Sequence, residues 1–142
     1  MKIFLDFDGV LRRESSSKSR LDEDCVRNFE QAVLAHPRAR VVIASTWRLV
    51  HRLEALRRLF PAGLAARIEG VTPDMPDVEE FVRHAEVIGY LNRNKLQGVR
   101  WIAVDDDHEA YRPNAPLLRV DPALGFNEDC GQRLRAWLAR PA

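Results

Sequence analysis

Two carboxylates, Asp6 and Asp8, stand between the apolar run Ile3-Phe4-Leu5 and Gly9. Side chains two apart on an extended chain point the same way, so this pair is expected on one side of the backbone. Two like charges so close are costly unless a cation or a proton relieves them. Gly9 permits the sharp backbone departure that must follow. A second acidic group, Asp105-Asp106-Asp107, repeats the layout after Arg100-Trp101-Ile102-Ala103-Val104. A hydroxyl pair, Ser45-Thr46, follows Val41-Val42-Ile43-Ala44. Acids and hydroxyls at strand ends suit a site for a divalent metal and a phosphate. Each also has a plainer explanation: Asp-Gly makes hairpin turns, and Ser or Thr after a strand commonly caps a helix.

The elements decide between these readings. Ile3 to Leu5 and Val41 to Ala44 carry no charge, the pattern of strands buried on both faces. Between them, Leu21-Asp22 opens a helix through about Ala35, with Asp22 as N-cap and Cys25, Phe29, Ala32 and Val33 as its inner stripe. His36-Pro37 ends it, with His36 exposed. Strand, helix and strand make a βαβ unit with parallel pairing, which brings Ser45-Thr46 to the same sheet edge as Asp6 and Asp8. Ligands of open α/β sheets bind at that edge.

Further on, Leu49, Leu53, Leu56 and Phe60 predict a helix broken by Pro61-Ala62-Gly63, with His51 on the surface. Arg67 to Pro73 holds a short third strand, followed by a loop. A helix covers Glu86 to Leu91 and extends beyond both ends. Arg100 to Val104 is a fourth strand and Leu117 to Val120 a fifth. A last helix is capped by Asn127 or Asp129, with Leu134, Trp137 and Leu138 inward. The polar stretch Arg12 to Arg20 reads as a loop beside the active edge. It is either a solvated surface or a contact to substrate through Arg12, Arg13, Lys18 or Arg20. His108 reads as a loop residue.

The 142 residues suit one domain, 1–142, with no repeat or linker. The chain is 46% hydrophobic and 30% charged, as in ordinary soluble proteins. A net charge of +1 gives no whole-protein attraction to nucleic acid or membrane. No apolar run approaches the ~20 residues of a membrane span. A strand at the N-terminus is not a signal peptide. Cys25 and Cys130 lie in amphipathic segments and read as buried reduced thiols, so a cytoplasmic setting is expected.

The string Asp6-Phe7-Asp8-Gly9-Val10-Leu11 after a hydrophobic strand resembles the first motif of the haloacid-dehalogenase (HAD) superfamily of phosphohydrolases. The later strings follow in the family's order. Ser45-Thr46-Trp47-Arg48 resembles its second motif. Arg83-His84-Ala85-Glu86-Val87-Ile88-Gly89-Tyr90-Leu91 is similar to an Arg-x-x-Glu pattern found before the last motif, and Asp105-Asp106 resembles that last motif.

The resemblance implies an α/β three-layer, Rossmann-like fold with a central parallel five-stranded sheet ordered 5-4-1-2-3. It implies Asp6 as nucleophile and Asp8 as general acid/base. Ser45, or else Thr46, binds the phosphoryl group together with Arg83, or else Lys95. Asp6, Asp105, Asp106 and the backbone carbonyl of Asp8 hold the metal. Mg²⁺ suits hard oxygen donors, few of them from protein. Glu86, one helical turn beyond Arg83, is expected to pair with it. Trp47 and Arg48 are expected to give a flat wall and a cationic contact.

Dehalogenases of the superfamily lack the second Asp and ion-pumping ATPases carry Thr there, so the resemblance favours a phosphatase. The intervals after the first and third strands leave no room for a large cap domain. An open site suits a large phosphorylated substrate, and the strings look most like the small HAD domains associated with bacterial RNA-repair proteins. RNA or DNA ends are therefore the expected substrates, with a small metabolite or nucleotide as the alternative. A phospho-accepting signalling module is the rival of another class. Such receivers carry the acceptor after a middle strand, where this chain has Ala44 followed by hydroxyls. A catalytically idle domain retaining the pocket stays open as well.

Overall fold

The computed structural model describes residues 1–17 and 19–141. Its elements in order are β1 (Lys2–Leu5), α1 (Glu23–Leu34), β2 (Arg40–Ile43), a 3₁₀ turn (Thr46–Leu49), α2 (Leu53–Arg57), α3 (Ala62–Ala65) and β3 (Ile68–Val71). There follow α4 (Val82–Arg93), β4 (Trp101–Asp105), a second 3₁₀ turn (His108–Ala110), β5 (Leu117–Arg119) and α5 (Glu128–Leu138).

The strands form one five-stranded sheet in the order β3-β2-β1-β4-β5, every neighbouring pair parallel. This is the expected sheet. Leu5 is in register with Ile43 on one side and Val104 on the other, so these three strands end in one row. The residues that follow, Asp6, Ala44-Ser45 and Asp105, therefore emerge together along one edge. The Asp6 amide donates to the Val104 carbonyl and the Ala44 amide to the Leu5 carbonyl.

Alternation along the strands builds two cores. Ile3, Leu5, Val41, Ile43, Ile102 and Val104 face α1, α3 and α5 in one cluster with Phe29, Leu64 and Leu134. Phe4, Val42 and Ala103 face the other way, against Val87, Tyr90 and Leu91 of α4. Phe4 meets Tyr90 and Trp101 edge-on, at ring-centroid distances of 5.7 and 5.8 Å. A central strand buried on both faces must be apolar throughout, which accounts for the uncharged Ile3-Phe4-Leu5.

Among the described residues, those between β1 and β2 form a loop and α1, and those between β3 and β4 a loop and α4. No helix among the described residues is long and apolar enough to cross a membrane. Asn127, not Asp129, caps α5, its side chain accepting from the Cys130 amide. Cys25 and Cys130 are free and buried, and burial pushes the Cys25 thiol up to about 11.

The structure corrects several local expectations. The helix predicted from Leu49 to Phe60 is a 3₁₀ turn, the short α2 and a bend, with Leu49 52% exposed and only Leu56 and Phe60 buried. The apolar spacing was helical by coincidence, because it spans two pieces that pack separately. Pro61 separates α2 from α3, as the N-cap of α3, while Ala62 and Gly63 lie inside α3 and do not extend the break. His36 is half-buried, not exposed, and lies in a tight turn whose carbonyls accept from Ala39 and Arg67. Asp22 holds the N-cap position of α1 without a side-chain cap bond. Its carboxylate accepts from the Arg13 amide instead.

Candidate active site

Parallel strands followed by returning helices bring strand C-termini and helix N-termini to the same edge. Asp6 follows β1, Ser45 follows β2, Asp105 ends β4, and Arg83 sits in the first turn of α4. Asp6, Asp105 and Asp106 each bring a carboxylate oxygen within 4.8 Å of the other two. Asp6 and Asp105 are buried and Asp106 half-buried.

Arg83 is the cation of this cluster. Its Nη1 lies 3.5 Å from Asp6 Oδ1 and 3.9 Å from Asp105 Oδ2, and it donates to the Ala44 carbonyl. A cation at a helix N-terminus opposes the helix dipole; the two facing carboxylates offset that here. Asp105 is held further by the Tyr111 hydroxyl, which donates to Oδ2 at 3.2 Å, and by the Asp107 amide, which donates to Oδ1 at 3.0 Å. Tyr111 is buried, and burial followed by the charge of Asp105 pushes its hydroxyl strongly upward, so it stays a donor.

Burial, and after it the charge of Asp105, pushes Asp6 up to about 9, with Arg83 opposing. Burial lifts Asp105 to about 6, again against Arg83. One arginine does not neutralise three close acids, so the cluster retains a proton that a divalent cation can replace. The donor set of carboxylate oxygens fits a hard cation such as Mg²⁺. Gly9 is part of this packing. Its φ is +83°, and a Cβ there would lie 2.4 Å from Asp106 Oδ2. The residue after the first acidic pair is glycine because Asp106 occupies that space.

Asp8 departs from expectation. Its side chain is half exposed and is not one of the clustered carboxylates. Arg12 Nη1 donates to Oδ1 at 3.1 Å, and the Trp47 indole N–H donates to Oδ2 at 3.0 Å. The backbone leaves the strand at Leu5, so the alternation that would align Asp8 with Asp6 no longer holds.

Ser45 is buried and Thr46 exposed. Ser45 caps the first 3₁₀ turn, its Oγ accepting from the Trp47 amide at 3.2 Å, which leaves its own O–H to donate. Lys95 is exposed past the end of α4, with φ +55°.

Arg48 and Glu86 correct two readings. Arg48 is not a substrate contact: it donates to Glu86 at 2.6 Å and to the carbonyls of Ala44, Ser45, Thr72 and Pro73. Glu86 consequently pairs with Arg48 and not with Arg83. In the Arg12 to Arg20 loop, Arg13 is engaged by Asp24, Asp22 and the Leu124 carbonyl, and Arg12 by Asp8. Arg20 is exposed, and Lys18 lies outside the described residues.

Sequence reasoning missed Tyr111 and the indole N–H of Trp47 as partners of site carboxylates. Tyr111 carries no periodic signal, and a tryptophan after a strand reads first as packing.

Comparison with curated proteins and with solved structures gives no match. The family model of the HAD domain in Swiss Army Knife RNA repair proteins matches residues 2–130. With nearly its whole length matched and a five-stranded parallel sheet of the expected order, the chain belongs to this family of HAD domains, which is phosphohydrolase-type.

Proposed function

We propose that this domain is a Mg²⁺-dependent phosphomonoesterase that works through an aspartyl-phosphate on Asp6, with phosphorylated RNA or DNA ends as its substrates. The observation that carries the proposal is the placing of buried Asp6 against both Arg83 and the Asp105-Asp106 pair. That setting favours a carboxylate whose charge is needed only when a cation and a phosphate are present.

Asp6, Asp105, Asp106 and the backbone carbonyl of Asp8 would hold Mg²⁺, whose charge offsets the repulsion between nucleophile and phosphate when it is bound. A carboxylate oxygen of Asp6 attacks phosphorus, and the bond from phosphorus to the leaving oxygen breaks. Asp8 supplies the proton that the leaving oxygen takes up. Asp8 then accepts a proton from water as that water attacks the phosphoryl group, which frees Asp6 and releases inorganic phosphate. Ser45, with its free O–H, and Arg83, already directed at Asp6, bind the phosphoryl oxygens through the reaction.

Support for a nucleic-acid end comes from the lack of an inserted domain over the edge among the described residues and from a groove between α1 and the bend after α2. That groove, about 490 Å³, carries Arg20, Arg27 and Arg58 beside Phe60, together with Glu23 and Glu30. The Phe60 ring packs edge-on against Phe7, which lies between the two site aspartates. Exposed arginines of this kind suit the phosphates of a strand leading away from its end. Free, buried thiols accord with a cytoplasmic setting.

The test is phosphate release from 3′- and 5′-phosphorylated oligonucleotides and from a panel of phosphorylated metabolites, with and without Mg²⁺. Oligonucleotide turnover that needs Mg²⁺ and vanishes in Asp6→Asn is expected. Preference for a metabolite overturns the substrate class. A stable phospho-enzyme without release makes the domain a phospho-accepting module. Activity that survives exhaustive chelation removes the metal.

A further inference from the structure

Both oxygens of the Asp8 carboxylate are occupied by donors that lie outside the carboxylate cluster. Trp47 Nε1 lies 3.0 Å from Oδ2 and Arg12 Nη1 3.1 Å from Oδ1. Asp8 is only two residues from Asp6, yet the close group of carboxylates is Asp6, Asp105 and Asp106. A fourth carboxylate in that group would become another metal ligand and lose its freedom to carry protons. The indole is itself well fixed. The Trp47 backbone amide donates to Ser45 Oγ at 3.2 Å, and its ring meets Phe7 edge-on at 5.3 Å. The donor is therefore anchored to two segments of the site, the turn after β2 and the chain between Asp6 and Asp8.

We infer that Trp47 is a positioning residue: its indole N–H holds the Asp8 carboxylate away from the cluster of Asp6, Asp105 and Asp106 and aims it at the leaving oxygen. The inference rests on the reading of Asp8 as general acid/base. It assigns the indole a role that ring packing alone does not require. Phenylalanine would fill most of the same space against Phe7 without holding Asp8. An outer partner that orients a functional group is typically worth about 10–100-fold, against about 10²–10⁴-fold for the general acid/base itself.

The test uses a series of substituted phenyl phosphates whose leaving groups run from 4-nitrophenol to phenol, with Mg²⁺ present. A weakly basic leaving group departs without a proton, whereas a strongly basic one needs it. Trp47→Phe is expected to lose about 10–100-fold more on phenyl phosphate than on 4-nitrophenyl phosphate in kcat/KM, which reports only the step that phosphorylates Asp6 and releases the leaving group. Asp8→Asn is expected to show a steeper dependence of the same kind. An unchanged leaving-group dependence in Trp47→Phe, beside a steepened one in Asp8→Asn, overturns the role of Trp47 and leaves Asp8 as acid/base. A flat response in Asp8→Asn instead removes the acid/base assignment itself. Equal loss of kcat/KM on every substrate makes Trp47 a packing residue and overturns the inference. Should Trp47→Phe unfold, benzothienylalanine at position 47 keeps the bicyclic ring, lacks the N–H and carries the same test.

Discussion

Arg48 Nη2 lies 2.6 Å from Glu86 Oε2, and both side chains are almost wholly buried. This pair ties the turn after β2 to α4, and Arg48 also binds the carbonyls where β3 ends. Arg83 precedes Glu86 by one turn of α4 and shares the Ala44 carbonyl with Arg48. Because Glu86 is already neutralised, the charge of Arg83 is left for Asp6 and Asp105.

Breaking this pair from one side leaves an uncompensated buried charge. Arg48→Ala or Glu86→Ala is expected to cost about 3–5 kcal/mol, and replacing both by apolar residues of similar size much less. Urea denaturation midpoints of the single and double variants check this. Single variants as stable as wild type would place the pair in water.

Arg83→Ala is expected to lower turnover by about 10²–10³, the usual loss of one pre-organised contact to developing charge. Lys95→Gly should leave turnover near wild type, because Lys95 is exposed and glycine accepts its positive φ. Steady-state kinetics on one aryl phosphate compares the two. Equal losses at both positions would remove the special role of Arg83.

Metal and protons compete for the same carboxylates. Asp6 and Asp105 are pushed up to about 9 and about 6 by burial, so the metal-free fold binds more protons than the unfolded chain above the usual carboxylate range. The stability these groups contribute is therefore complete below about pH 4 and is lost as pH rises through about 6 and then about 9. Metal-free protein should melt at progressively lower temperature across that window, and saturating Mg²⁺ should reduce the slope. Mg²⁺ affinity should rise with pH over the same range, because binding displaces the retained proton. Thermal unfolding and calorimetric titration at several pH values read both effects. A metal-free melting temperature that climbs from pH 6 to 9 would contradict the sign.

Gly9→Ala meets two obstacles. The left-handed backbone costs roughly 1–2 kcal/mol for a residue with a Cβ, and that Cβ would lie 2.4 Å from Asp106 Oδ2. Asp106 must move away, so the variant should need more Mg²⁺ for half-maximal activity as well as being less stable. An unchanged Mg²⁺ requirement would separate Asp106 from the metal.

Much of this arrangement was legible in the sequence because it depends on short-range rules. Uncharged runs of Ile, Val, Phe and Leu mark doubly buried strands, and one helix between two of them dictates parallel pairing. Strand ends that carry Asp6, Ser45 and Asp105 must then share an edge. The strand order, inferred from the family resemblance, agrees with that logic. Arg83 was found through the same resemblance, and the structure turns it toward Asp6.

What only the tertiary structure decided is the choice of partner among charges. A sequence places Arg48, Arg83 and Glu86 near one another but cannot say which guanidinium is buried, since that depends on which carbonyls lie unpaired at the ends of β2 and β3. Helical spacing favoured Arg83 with Glu86; the carbonyls of Thr72 and Pro73 drew Arg48 into that place. The two-residue rule likewise aligned Asp8 with Asp6. The strand stops at Leu5, and donors from Arg12 and Trp47 fix where the Asp8 carboxylate goes. Local propensity and periodicity fix the elements and the edge they share. Hydrogen-bond partners are set by long-range packing, to which periodicity is blind.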